Sequence, residues 1–113
     1  MQLFRSTDEL ERRQASRRSP NPAVSGTIRD PRTRHSWPTG ICDISLMGVT
    51  LLADQRFENG QLLTLELWHD QRGWAREYLI EVRHADICCP NDAWLHGCRF
   101  ARPLREEELC FWL

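Results

Sequence analysis

Two short patterns in this chain carry the residue types that bind anions and purine edges. The first is Arg13-x-x-x-Arg17, set in Glu-Arg-Arg-Gln-Ala-Ser-Arg-Arg, and the second is Asp43-x-Ser45-x-x-Gly48, set in Cys-Asp-Ile-Ser-Leu-Met-Gly-Val. A guanidinium is planar and permanently charged, so it can hold a phosphate or a guanine edge through two parallel hydrogen bonds, which a lysine ammonium does less well. All 15 basic residues of the chain are arginine. A GC-rich genome produces the same preference, and two arginines four apart arise by chance in such a stretch. Asp and Ser near a strand end are also common turn formers, and Gly48 in a strand context marks a bend or a close backbone approach. Each pattern alone is weak; their order along the chain is what gives them weight.

Charge is divided unevenly. Residues 1–35 carry eight arginines against four acids, and residues 36–113 carry seven against twelve, for a formal net charge of -1. The acidic body argues against a general single-strand nucleic-acid binder, although a small barrel with arginines and five tryptophans is a form such binders take. Those tryptophans, at 37, 68, 74, 94 and 112, are expected in the core or under a terminal helix.

Catalytic chemistry finds little support. Ser45 has no G-x-S-x-G setting and no histidine is placed beside it by sequence, so no catalytic residue is assigned. His35, His69, His84 and His96 are scattered. His84-x3-Cys88-Cys89 and His96-x-Cys98 lack the paired spacing of structural zinc sites, so no metal is expected. The five cysteines, at 42, 88, 89, 98 and 110, are expected to be buried small hydrophobes in a reducing compartment, with vicinal Cys88 and Cys89 the pair to watch for oxidation. No apolar run reaches the roughly 18 residues of a membrane span, and the first residues lack a secretory pattern, so the expectation is a cytoplasmic protein without membrane insertion.

The elements that must position these groups read as one small mainly β domain. Residues 1–21 form a polar, arginine-rich, flexible arm that ends in Ser19-Pro20-Asn21-Pro22. Residues 22–113 then show strand-like runs at Ala23–Arg29, Trp37–Ile44, Gly48–Ala53, Gln61–Trp68, Tyr78–His84 and Trp94–Ala101. Turns fall at Asp30-Pro31, Glu58-Asn59-Gly60, His69–Gly73 and Pro90-Asn91-Asp92. The clearest strand is 61–68, with apolar Leu63, Leu65 and Leu67 alternating with polar Thr64 and Glu66. After Pro103 the period changes, acids cluster, and Leu109, Trp112 and Leu113 share one face, which predicts a short terminal helix. Six strands and one helix suggest a closed or nearly closed antiparallel barrel with the helix packed on it.

With both patterns in this order, the chain resembles the PilZ family, whose signatures are an RxxxR motif in an amino-terminal arm and a [D/N]xSxxG motif on a small barrel. The likeness continues through Gly60-Gln-Leu-Leu-Thr-Leu-Glu-Leu, Ile80-Glu-Val-Arg-His and Gly97-Cys-Arg-Phe-Ala-Arg-Pro-Leu, and spans roughly residues 10–113. It implies a six-stranded PilZ-like barrel with a carboxy-terminal helix, in a bacterial receptor for the second messenger cyclic di-GMP that acts on an effector protein without catalysis. It places the ligand on Arg13, Arg17, Asp43, Ser45 and Gly48. Asp43 can accept from guanine N1 and N2, which separates guanine from adenine. Ser45, two residues on, is expected on the same strand face. Arg12, just ahead of the motif, implies two intercalated ligand molecules per chain. Arg18 and Arg83 are further contacts of lower weight. Ligand bridging arm and barrel would order the arm. A nucleotide-independent PilZ-like adaptor working through protein contacts alone is the alternative.

Overall fold

The structure is a computed structural model that describes residues 16–88 and 92–113. Arg12 and Arg13, along with Cys89, lie outside the described residues. Six strands appear in chain order: β1 (Val24–Arg29), β2 (Ser36–Ile44), β3 (Gly48–Ala53), β4 (Leu62–His69), β5 (Trp74–Cys88) and β6 (Ala93–Phe100), followed by helix α1 (Glu106–Trp112). All neighbouring strands pair antiparallel in the order β1-β2-β3-β6-β5-β4, and β4 closes on β1 to complete a barrel. The six-stranded barrel and terminal helix expected from the sequence are therefore present.

The period-2 pattern works as alternation demands. Leu63, Leu65 and Leu67 are fully buried, as are Leu51, Ile80 and Val82, and with Ile28, Val49 and Phe100 they fill the barrel. The fifth strand is longer at both ends than the sequence suggests. Its start escapes the hydrophobic pattern because Ala75, Arg76 and Glu77 all face solvent, and the start is held instead by pairing with β4, Trp68 opposite Ala75 and His69 opposite Trp74. A bulge between Val82 and His84 breaks the alternation further on.

The helix closes one end of the barrel. Its first turn holds Glu106, Glu107 and Glu108, which suits the positive end of the helix dipole, and Glu108 Oε1 accepts from the Arg105 backbone N–H at 3.2 Å. Leu109 and Trp112 are buried, and the Trp112 indole N–H donates to the Tyr78 hydroxyl at 3.0 Å. Tyr78 in turn lies 3.2 Å from Glu108 Oε2, so strand and helix are joined by a tyrosine that accepts from one helix residue and donates to another. Burial, with the carboxylate beside it, pushes the Tyr78 hydroxyl up to about 12. Although burial alone raises Glu108, its hydrogen bonds from Arg105 and Tyr78 outweigh this and hold its carboxyl below the usual range.

The opposite end is closed by Phe57. Its backbone N–H donates to Nε2 of fully buried His96 at 3.0 Å, and Trp37 packs edge-on against its ring at 5.1 Å. Burial pushes the His96 pKa down, which keeps the ring neutral and Nε2 free to accept. The tryptophans divide accordingly. Trp112 is buried, Trp74 stacks on it at 5.5 Å under the helix, and Trp37 packs partly on the core, but Trp68 is exposed.

The cysteines do not follow the expectation of burial. Only Cys98 is buried among the described residues; Cys88 is intermediate, and Cys42 and Cys110 are exposed. Cys42, at a bulge between Ile41 and Asp43, is in phase with exposed Ser36, Pro38 and Gly40 on the outer side of β2, and Cys110 is exposed on the helix beside Arg18 and Leu46.

Residues 16–21, read from sequence as the end of the arm, run along the barrel. Arg18 and Ile44 exchange two backbone hydrogen bonds of 2.9 Å, forming an isolated antiparallel bridge. Asn21 donates its backbone N–H to Trp112 O at 2.8 Å, so this segment ties β2 to the end of the helix. Among the described residues no helix is long and apolar enough to cross a membrane.

Candidate functional site

The β2–β3 turn carries the Asp43, Ser45 and Gly48 pattern, and the structure separates their roles. Ser45 is 4% exposed and lies just beyond the end of β2. Its hydroxyl accepts from the backbone N–H groups of Met47 (3.2 Å) and Gly48 (3.1 Å) and lies 3.2 Å from Gly48 O, while its own N–H donates to that same carbonyl at 2.9 Å. One hydroxyl is thereby committed to closing the turn. Ser45 does not share an outward strand face with Asp43, because the chain leaves the strand between them.

Gly48 is where β3 begins against β6. A Cβ on Gly48 would collide with the Cys98 carbonyl oxygen, so the approach of the two backbones is possible only without a side chain. Two consecutive residues of the turn are held to later parts of the chain. Met47 O accepts from Phe100 N at 2.9 Å, and Leu46 O accepts from Leu104 N at 2.8 Å.

Asp43 remains outward on β2, directly opposite Thr50 on β3. The Arg18–Ile44 bridge sets the register of residues 16–18 there, and it brings Arg17 onto this pair. Arg17 Nη1 lies 3.3 Å from Asp43 Oδ1 and also donates to the Thr50 hydroxyl. Arg17 and Asp43 side chains are 59% and 29% exposed, so the ion pair contributes only about 0.2–1 kcal/mol and is easily exchanged for another partner. Arg17 and Asp43, 26 residues apart in sequence, are thus in contact.

Beside them is a recess of about 320 Å³ lined by Arg17, Ser45, Met47, Gly48, Arg83, His84, Gly97, Cys98 and Arg99. The β5 bulge makes two consecutive side chains, Arg83 and His84, face solvent. His84 stands opposite Gly97, and a Cβ on Gly97 would occupy the position of the imidazole, so the ring lies flat against the strand only because residue 97 is glycine. Arg99 is exposed, stands opposite both Gly48 and Glu81, and has no ion-pair partner among the described residues. Arg83 lies 3.3 Å from Glu81. Three guanidiniums against the carboxylates of Asp43 and Glu81 leave one net positive charge, an arrangement suited to an anion bearing a flat ring.

The structure therefore brings together Arg17, Asp43, Ser45, Gly48 and Arg83. Arg18 lines a different groove, beside the helix with Leu46 and Leu109. Thr50, His84, Gly97 and Arg99 are members that sequence reasoning did not select. Their signal was available only as strand alternation, since 97 and 99 share a face of β6, and the bulge that adds His84 has no local marker.

The two described thiols nearest the site are not activated as nucleophiles. Burial, then the Asp43 charge, raises the Cys42 pKa, and burial pushes the Cys98 thiol up to about 12, so both remain protonated near neutrality. Among the described residues no group of three or more His, Cys, Asp or Glu is arranged to hold a metal ion.

A small closed six-stranded barrel with a helix across one end and an arm delivering arginine to the β2–β3 turn defines the class. The PilZ domain family model matches residues 11–110, and the chain belongs to that family. No similarity to a curated protein sequence was found. Among solved structures, it is similar to the PilZ domain with c-di-GMP of YcgR from Escherichia coli. That match has 16% identity and a TM-score of 0.61, and covers 80% of this chain and 78% of that one. It is also similar to MrkH, described as a c-di-GMP-dependent transcription regulatory factor, at 13% identity and a TM-score of 0.58. Here 83% of this chain matches 45% of the other, so this chain spans under half of that protein. At these identities the likeness establishes the fold.

Proposed function

We propose that the protein is a cyclic di-GMP receptor that binds the messenger in the recess between its amino-terminal arginines and the β2–β3 turn, without turnover, and passes the signal to an effector protein. The observation that carries this reading is the contact of Arg17 with Asp43 at the mouth of a recess rimmed by Arg83 and Arg99. Arg17 exchanges an exposed pair for a phosphate or a guanine edge, and a charge-assisted bond to the ligand is worth about 1.5–3 kcal/mol against at most about 1 for the pair it replaces. Arg13, four residues ahead, and Arg12 supply further guanidiniums, and Arg12 supports two ligand molecules per chain. Arg18 and Arg83 are secondary contacts.

Asp43 accepts from guanine N1 and N2 once Arg17 moves to the phosphate, and so selects guanine over adenine. Ser45 acts by holding the turn that presents Asp43, and Gly48 by letting that turn sit against β6. The exposed His84 face offers a stacking surface for a base. Support for a family-typical ligand also comes from the two neighbours, whose descriptions name c-di-GMP.

Calorimetric titration with cyclic di-GMP, with GTP and cyclic di-AMP as controls, tests the reading. Micromolar or tighter binding, about -8 kcal/mol or better, selective for guanine and lost in an Arg13→Ala, Arg17→Ala variant, is the expected result. A folded parent chain that binds none of the three sinks it and leaves an adaptor working through protein contacts alone.

A further inference from the structure

A second concave surface lies away from the nucleotide recess. It is a groove of about 530 Å³ between the outer side of β5 at Glu77–Leu79, the connector from β6 to α1, and Glu108 on the helix. Ala101 N donates to Leu79 O at 2.9 Å, which continues the β5–β6 ladder one residue past the strand and makes the connector the groove's floor.

The groove is amphipathic in a particular way. Leu79 is 47% exposed and Leu62 51% exposed. With Leu62 opposite Glu81 and Thr64 opposite Leu79, the two leucines are diagonal neighbours on the outward face, within side-chain reach of one another. Exposed aliphatic surface beside a groove is the kind that marks a binding patch.

The charges around it are mostly spent. Glu77 pairs with Arg29 at 2.8 Å. Glu108 accepts from Tyr78 and from both the backbone and the side chain of Arg105. Arg102 is exposed on the floor and has no partner among the described residues. The groove's two carboxylates, Glu77 and Glu108, are matched by Arg29 and Arg105, and Arg102 is left as an unpaired positive charge in the same groove as Leu79.

β6 pairs with β5 only from Ile80 onward, so along Glu77–Leu79 the fifth strand has β4 on one side and, among the described residues, no strand on the other, an edge that suits an extended segment. We infer that this groove docks an extended peptide segment of a protein partner, one that places an aliphatic side chain on Leu79 and Leu62 and a carboxylate, two residues later on the same face, on Arg102. The connector that floors the groove is held at Phe100 and Leu104 by the carbonyls of Met47 and Leu46. The turn of the nucleotide recess and the groove thus share one segment of backbone, and movement of the turn shifts the floor.

The docking inference is independent of the ligand reading and is tested on ligand-free protein. The isotope-labelled full chain is titrated with acetylated hexapeptides carrying Leu two residues before Glu, followed by amide shifts. Saturable shifts at residues 62, 79, 101, 102, 104 and 105 are expected, with Kd below about 1 mM. Binding weakens at least tenfold in Arg102→Glu, in Leu79→Ser, and when the peptide Glu is replaced by Lys. Both substituted positions are exposed, and an unchanged spectrum elsewhere establishes that the variants are folded. Absence of saturable shifts in this region at several-fold higher peptide, or equal binding by Arg102→Glu or by the lysine peptide, overturns the inference.

Discussion

Replacing Gly48 by alanine adds one methyl group where β3 and β6 approach most closely. The nearest atoms are all backbone: the carbonyl oxygen of Cys98, which the methyl would overlap, then Cys98 C at 3.3 Å and Arg99 Cα at 3.4 Å. Backbone in a paired strand cannot rotate aside as a side chain does, so relief requires β3 and β6 to separate at this end of the ladder. Overpacking of this kind costs about 1–3 kcal/mol, offset in part by about 0.4–1 kcal/mol because alanine restricts the unfolded chain. A net loss of about 1–2 kcal/mol is expected. At about 2.1 cal/mol/K of unfolding entropy per residue, each kcal/mol lowers the midpoint by about 4 °C in a chain of this length, so the variant melts about 4–8 °C early. Gly40→Ala is the matched control, because a Cβ there meets Leu52 Cβ at an ordinary 3.6 Å, and with only the unfolded-chain gain of about 0.4–1 kcal/mol its midpoint rises by about 2–4 °C. Thermal unfolding followed by circular dichroism measures both. If Gly48→Ala melts with Gly40→Ala, the close approach is not the reason for glycine at 48.

Gly97→Ala behaves differently, because the atoms it meets belong to the exposed His84 ring, which swings away at little cost. It should unfold near the parent midpoint yet bind cyclic di-GMP about tenfold more weakly, since the ring leaves the recess; unchanged affinity would remove His84 from the site. His96 gives a pH signature. Its pKa is lower folded than unfolded, so the unfolded chain takes up the proton first, and this part of the stability is full above about pH 6.5 and falls as pH drops below it. Urea unfolding at pH 7.5 and 5.5 should show the loss, with a shallower slope in His96→Gln; an identical slope in the variant would assign the effect elsewhere. Tyr78 is the chain's one tyrosine, so its ultraviolet titration is unambiguous. The phenolate band should appear near pH 12 in the folded protein, and stability should fall as pH rises above about 10, where the unfolded tyrosine ionises first. A midpoint near 10 under folded conditions would mean that the contact with Trp112 and Glu108 is not made.

Much of the barrel was legible because burial follows alternation. Leu63, Leu65 and Leu67 announce β4 on their own, and Pro103 with three glutamates announces the helix. The start of β5 was not legible, since Ala75, Arg76 and Glu77 are all exposed, and they are strand only because β4 lies beside them. At the site, Arg17, Asp43 and Gly48 were accessible from spacing, and the structure adds what spacing lacks. Thr50 is chosen by cross-strand register, His84 by a bulge, Arg99 by alternation along β6. Ser45 shows the converse: its place in the pattern suggested a contact on the face of Asp43, and local geometry uses its hydroxyl to build the turn. Cys42 was misjudged because burial was expected from residue type, whereas alternation along β2 puts it in phase with exposed Ser36, Pro38 and Gly40.

The reading stands most directly on where cyclic di-GMP binds. Amide-shift mapping of the full chain during titration with the dinucleotide should show saturable changes centred on residues 17–18, 43–50, 83–84 and 97–99, with those changes abolished in Arg17→Ala. Binding that instead perturbs the outer face of β4 and β1, or no perturbation of a folded chain at saturating dinucleotide, contradicts the assignment of the recess as the receptor site.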